Sequence, residues 1–140
     1  MLNGGINPSG FIEQYNTQAG MISISEGGNS CGYVQFNNEP FWSGGHCYTL
    51  ESNEKDYNYK YLYHYLKFRQ DDIMALRIGS GLPNIQKKDL EKFEVVLPEK
   101  SVQDRLVSMF LSVDKRIEIE ELLLRKFLIQ KQFLLRKLFI

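Results

Sequence analysis

The feature that most constrains this chain is its last forty residues, Ser101 to Ile140, which no Gly or Pro interrupts. Val102, Leu106, Phe110, Val113, Ile117, Leu124, Leu128, Leu135 and Leu138 follow one another at helical steps. The gaps are filled by Leu, Lys, Arg, Glu and Gln, all good helix formers. Ser101 is the expected N-cap, with Asp104 at the third helical position, and Pro98 just before the start. At about 1.5 Å per residue, such a helix is on the order of 55 Å long. A periodic pattern well beyond about 25 residues points to a coiled coil rather than an ordinary globular helix.

The apolar face is too wide for one seam. Leu122–Leu124, Phe127–Ile129 and Phe133–Leu135 are consecutive triplets that cover most of the circumference. Such a surface aggregates in water unless something covers it. For the first turns the chain's own domain is the expected cover; for the later turns it is a second helix, from another copy or another protein. Arg125, Lys126, Lys131, Arg136 and Lys137 break the apolar run and suit a helix C-terminus. They also exclude a membrane span, which needs about 18 nearly uninterrupted apolar residues. A basic amphipathic helix lying on a membrane surface is the remaining, weaker alternative.

The chain's 140 residues allow one domain and an extension, and 17 Lys+Arg against 17 Asp+Glu give no net charge. Bulk charge therefore does not argue for nucleic acid, but its distribution is uneven: no Lys or Arg precedes Lys55. Cys31 and Cys47 make no disulfide framework and no signal peptide precedes them, so a reduced, cytoplasmic setting is expected. The opening MLNGG enters a turn-rich region almost at once, unlike the start of a complete domain.

Residues 1 to about 50 read as short strands joined by loops. Asn3-Gly4-Gly5 and Asn7-Pro8-Ser9-Gly10 are turns; Met21–Ile24, Gly32–Phe36 and His46–Leu50 are expected strands, separated by Gly27–Ser30 and Ser43–Gly45. Asp56 to Gln70 alternates its tyrosines like a strand, but Leu62 with Leu66 and Tyr61 with Tyr65 pair at helical spacing, so a helix capped by Asn53 is predicted. A loop at Gly79–Pro83, a short helix at Gln86–Glu91 and a strand at Phe93–Leu97 complete the domain. The predicted fold is α+β: a small twisted sheet in residues 1–98, with its working loops at one end, followed by a helical arm over 99–140.

The chemistry-bearing residues form no recognisable catalyst. Cys31, His46, Cys47 and His64 lack the CxxC or HxxxH spacing of a zinc site, and no third group would orient a Cys–His nucleophile. Neither Gly27-Gly28 nor Gly79-Ser80-Gly81 is followed by the GK[ST] of a phosphate loop. No metal and no cofactor is expected, and the residues describe a binding module. Asn29, Ser30, Gln35, Asn37, Ser43 and His46 are short donors and acceptors of the kind that read base edges. Lys55, Lys60, Lys67, Arg69, Arg77, Lys87 and Lys88 could meet phosphates. The plainer reading, that the Asn and Ser residues make turns and the lysines are solvated, stands beside this one. A coiled-coil protein-interaction module without DNA binding is the alternative function.

The run IGSGLPNIQKKDLEKFEVVLPEKSVQDRL, followed by a Leu/Phe/Lys-rich helix ending RKLFI, resembles the type I restriction–modification specificity subunits. It is similar to the end of a target-recognition domain and the long helix after it. Gly79, Gly81, Asn84, Ile85, Asp89, Leu90, Pro98, Gln103 and Leu106 carry the resemblance. NGGINPSGFIEQYN, ISISEGGNSCGYV and FWSGGHCYTL resemble the earlier part of the same domain. The resemblance implies a non-catalytic chain that reads one half of a split sequence in double-stranded DNA. Its helix would pair antiparallel with a second helix and dock a methyltransferase subunit, to which a motor/nuclease subunit can be added. Family members usually carry two recognition domains and two helices where this chain has one of each, so a homodimer, or pairing with a second helix, is expected. The resemblance carries over no base contact. Physical chemistry selects Asn29, Ser30, Ser43, His46, Lys60, Arg69, Arg77, Ser80 and Lys87 as candidate DNA contacts. For the helical interface it selects Leu106, Phe110, Val113, Ile117, Leu124, Leu128, Leu135 and Leu138.

Overall fold

The computed structural model describes residues 1–51 and 57–139. Along the chain lie β1 (Met21–Ser25), β2 (Val34–Asn37), β3 (Cys47–Leu50), α1 (Tyr59–Phe68), α2 (Gln70–Ala75), α3 (Lys87–Leu90) and α4 (Lys100–Leu138). The fold is α+β, with a three-stranded sheet ordered β2-β1-β3 and a long C-terminal helix. The chain divides into two compact units, Met1–Gln103 and Asp104–Ile140.

In the first unit β1 is the central strand and pairs antiparallel with both neighbours, Ile24 facing Val34 on one side and Tyr48 on the other. Its alternation sends Ile22 and Ile24 into the core with Cys31, Val34, Tyr59, Leu66, Ile73 and Ile85. Ser23 and Ser25 are buried as well, and each finds a polar partner: Ser23 Oγ accepts from Asn37 Nδ2 at 2.9 Å, and Ser25 Oγ donates to the Gly4 carbonyl at 2.6 Å. The hydroxyl of Tyr59 bridges β1 and β3, accepting from the Ile22 N–H at 2.8 Å and donating to the Leu50 carbonyl at 2.6 Å.

The strand β2 lies at the sheet edge, where unpaired backbone groups invite foreign strands. Here the edge is closed by side chains. Gln70 Oε1 accepts from the Val34 N–H at 3.0 Å, and Lys67 Nζ donates to the Val34 carbonyl at 2.9 Å. The preceding turn needs Gly32, whose φ of +88° suits glycine and where a Cβ would lie 2.8 Å from Met74 Cα. That close approach packs α2 against the turn.

Several expectations need correction. Phe93–Leu97 is not a strand: Phe93 and Val95 are half-buried while Glu94 and Val96 are exposed, but the segment enters no ladder. Period-2 burial without a neighbouring strand yields an extended segment, here fixed by the Tyr61 hydroxyl donating to the Val96 carbonyl at 3.2 Å. The helix predicted from Asp56 begins at Tyr59, and its cap is Asn58, whose side chain accepts from the N–H groups of Lys60 and Tyr61. Asn53 and Lys55 lie outside the described residues. The long helix starts at Lys100, two residues before the start expected from a Ser101 cap, because the Glu99 carbonyl already accepts from Val102 and Gln103, so Ser101 sits inside the first turn.

In the second unit Val107 is buried, Leu106 and Phe110 are half-buried, and every described residue from Leu111 onward is exposed. Leu124, Phe127 and Ile129 are each about 60% exposed. Ser108 and Ser112 turn their hydroxyls back to the carbonyls of Asp104 and Ser108, and Arg116 pairs with Glu120 along the helix. Among the described residues, no helix is long and apolar enough to cross a membrane.

Candidate nucleic-acid interface

The pairing register places the C-terminal end of β1 beside the start of both β2 and β3, so the loops at Gly27–Tyr33 and Ser43–His46 emerge at one end of the sheet. Two further segments are tied to them. The Gly4 carbonyl accepts from the hydroxyls of both Ser25 and Ser30 at 2.6 Å. Gly4 has a φ of +80°, and a Cβ there would lie 3.1 Å from the His46 carbonyl oxygen, so glycine is what lets this turn seat between the loops. The Gly79–Pro83 loop is closed by reciprocal backbone bonds between Ile78 and Asn84, at 2.8 and 2.9 Å. It is fastened to the sheet end by Gly28 N–H donating to the Pro83 carbonyl and Ile85 N–H donating to the Glu26 carbonyl.

Together these segments wall a cleft of about 490 Å³, lined by Asn3, Gly4, Gly5, Ser9, Glu26–Gly28, His46 and Leu82–Asn84. Its floor carries a partly buried carboxylate. Glu26 Oε1 accepts from the Tyr48 hydroxyl at 3.1 Å, whose proton is shared with the Ile85 carbonyl at 2.9 Å, and Glu26 Oε2 lies 3.7 Å from His46 Nδ1. Burial, then the neighbouring Glu26, pushes the Tyr48 phenol up to about 12, which keeps it a donor across the neutral range. Burial also raises the Cys31 thiol, opposed by a backbone hydrogen bond from Ile85 and by the nearby Arg77 charge. A larger hollow of about 530 Å³, bounded by Met1, Phe11, Asn38 and Trp42 among others, takes in Gln35 and Asn37 of the wider polar set but none of the nine selected candidate DNA contacts.

The structure gathers some candidates and separates others. His46 lines the cleft and is exposed; Asn29 and Ser80 are exposed on two of the loops that build it. Arg77 is exposed just before the Gly79–Pro83 loop, and Lys87 is exposed just after Ile85, 3.7 Å from Glu91. Ser30 holds Gly4, and Ser43 is woven into the loop: its hydroxyl donates to the Cys47 carbonyl at 3.1 Å, and its N–H donates to Asn16 Oδ1 at 2.7 Å. Lys60 lies at the other end of the sheet, with Nζ 3.4 Å from the centre of the Phe36 ring. Arg69 is held by Asp72 and Tyr65, over the ring of Phe93. The hydrogen bond to Asp72 raises the Arg69 guanidinium further above its already high value. Of the wider polar set, Asn37 is buried against Met21 and Ser23, and Lys67 is occupied by Val34 and Gln70. Glu26, Asn3, Leu82 and Asn84 were missed. The signal for them was the trio of Gly-Gly pairs, Gly4-Gly5, Gly27-Gly28 and Gly44-Gly45, whose loops converge here. Among the described residues, no group of three or more His, Cys, Asp or Glu side chains is placed to hold a metal ion.

Comparison with known proteins agrees with this architecture. Residues 2–126 match the family model described as the type I restriction modification DNA specificity domain. A Mycoplasma genitalium protein named as a type I specificity subunit is 34% identical over 118 residues, covering 83% of this chain and 30% of that protein. A similarly named protein of Mycoplasma pneumoniae is 38% identical over 119 residues, covering 83% of this chain and 31% of its own. The crystal structure of a type I restriction–modification S subunit from M. genitalium superposes with a TM-score of 0.76 at 32% identity, covering 84% of this chain and 32% of that one. The chain thus spans about a third of the length of the relatives it matches. With nearly nine-tenths of its residues inside the family model, and with the fold of a solved relative, the chain belongs to the type I restriction–modification DNA specificity family.

Proposed function

We propose that this chain is a non-catalytic, sequence-specific DNA-recognition module of a type I restriction–modification complex, working in the cytoplasm. Residues 1–98 read double-stranded DNA, and residues 99–140 pair with a second helix and dock a methyltransferase subunit, to which a restriction subunit can be added. The observation that carries this reading is the cleft at the sheet end, in a chain of the specificity family. Its walls are tied together by backbone bonds, and its rim presents Asn29, His46, Ser80 and Asn84 to solvent. Cross-linked loops hold donors and acceptors in fixed positions, which is what discrimination between base edges requires. Arg77 and Lys87, exposed on the segments just before and after the Gly79–Pro83 loop, would contact phosphates. Lys60 and Arg69, held by internal contacts, contribute less than those two.

The helix supports the second half of the reading. Val113, Ile117, Leu124, Leu128, Leu135 and Leu138 are all exposed, a surface that a second helix would bury. DNA binding by the chain together with a modification subunit should fall steeply with salt, with a log–log slope of about −0.9 per phosphate contact. Arg77→Glu with Lys87→Glu should make that slope shallower by roughly 2. A salt-independent affinity, or a slope unchanged by the double substitution, would contradict phosphate contact at this end of the sheet.

A further inference from the structure

The carboxylate of Glu26 is not explained by the fold. The Tyr48 hydroxyl shares its one proton between Glu26 Oε1 at 3.1 Å and the Ile85 carbonyl at 2.9 Å, so it would stay paired without Glu26, and the imidazole of His46 is 69% exposed and needs no buried partner. Yet Glu26 sits on the cleft floor with its side chain 24% exposed, one oxygen beside the Tyr48 hydroxyl and the other facing His46. Gly4, Gly27 and Gly28 line the same cleft, and at Gly28 a Cβ would meet nothing within 4 Å, so that part of the wall is open to a ligand.

A negative group on a DNA-facing surface is repelled by phosphates and is tolerated only opposite a hydrogen-bond donor. On base edges in the major groove, the donors are exocyclic amines: N4 of cytosine and N6 of adenine. Guanine and thymine present O6 or O4 acceptors at the equivalent place, which a carboxylate repels. Resting on the DNA-reading role above, we propose that Glu26 is a specificity-determining residue. It accepts a hydrogen bond from the amine of one cytosine or adenine and rejects guanine and thymine at that position. Tyr48 and His46 act as positioning residues that fix the direction of its oxygens.

The test uses the full chain with its modification subunit and a duplex carrying the site mapped by wild-type methylation. Each cytosine or adenine of the site is replaced in turn by its amine-free analogue, 2-pyrimidinone or purine. At one position the wild type should lose roughly 10-fold or more in affinity, while Glu26→Ala, already weakened, should lose nothing further. Glu26→Gln keeps the side-chain length but can also donate, and should relax the methylated motif at the same position to include guanine or thymine. Equal losses in wild type and Glu26→Ala at every position, together with an unchanged Glu26→Gln motif, would overturn the proposal. Loss of binding to all duplexes alike, at an unchanged melting temperature, would overturn it too, because phosphate contacts survive the loss of one base contact. If the wild type itself methylates nothing, it is the DNA-reading role that fails.

Discussion

At the scale of single residues, the cleft rests on hydrogen bonds whose partners stand far apart in sequence. Glu26 and Tyr48 are 22 positions apart, and Tyr48 and Ile85 are 37 apart, so neither contact could be read from spacing. What was legible was local chemistry: the Gly-Gly turns, the short polar side chains, and the exposure of Asn29, His46, Ser80, Arg77 and Lys87. What was not legible was which hydroxyls the fold would consume. Ser30 and Ser43 look like recognition residues in the sequence but spend their donors on backbone carbonyls. The tyrosines carry a pH prediction. Tyr48 is raised from 10.0 to about 12, and Tyr59 and Tyr61 are also raised by burial. A raised folded value means the stabilisation is complete below pH 10 and is lost as pH climbs towards about 12. Urea midpoints should therefore fall between about pH 9 and about pH 11. Tyr48→Phe should lessen that fall, and an equal fall in the variant would show that Tyr48 does not contribute to it.

At the scale of elements, periodicity identified α1 because its faces are asymmetric, and gave no sign of α2 (Gln70–Ala75). Leu62 is half-buried against the core and Leu66 fully buried, as their i,i+4 spacing implied, and the tyrosine alternation that competed with it came to nothing. The same reasoning failed at Phe93–Leu97, since alternation of burial says which side chains point inward and nothing about whether a neighbouring strand exists. The start of α4 shows what Gln103 does. Its side chain is 1% exposed; Oε1 accepts from the Asn58 N–H at 2.9 Å and Nε2 donates to the Pro98 carbonyl at 2.7 Å. One amide thus joins the cap of α1, the turn after Phe93–Leu97 and the first turn of the long helix. Gln103→Ala should cost about 1–3 kcal/mol in urea unfolding, since it strands a donor and an acceptor. A change below about 0.5 kcal/mol would mean that water replaces both bonds.

At the scale of the whole molecule, the long helix was the most legible part of the sequence, because about eleven turns without Gly or Pro leave few alternatives. Its uncovered apolar surface gives a direct prediction: Leu124→Asp with Leu128→Asp should abolish self-association or subunit docking, measured as mass by light scattering. A double variant that keeps the oligomeric mass of the wild type would place the contact elsewhere. If two identical copies pair about a two-fold axis, as proposed, their reading ends would meet inverted half-sites along DNA, and their combined target would be an interrupted palindrome. The most direct test is to map methylation on plasmid DNA from cells expressing this chain with its modification subunit. A single methylated interrupted palindrome is the expected result; no methylation above that of cells lacking the chain would contradict a DNA-reading role.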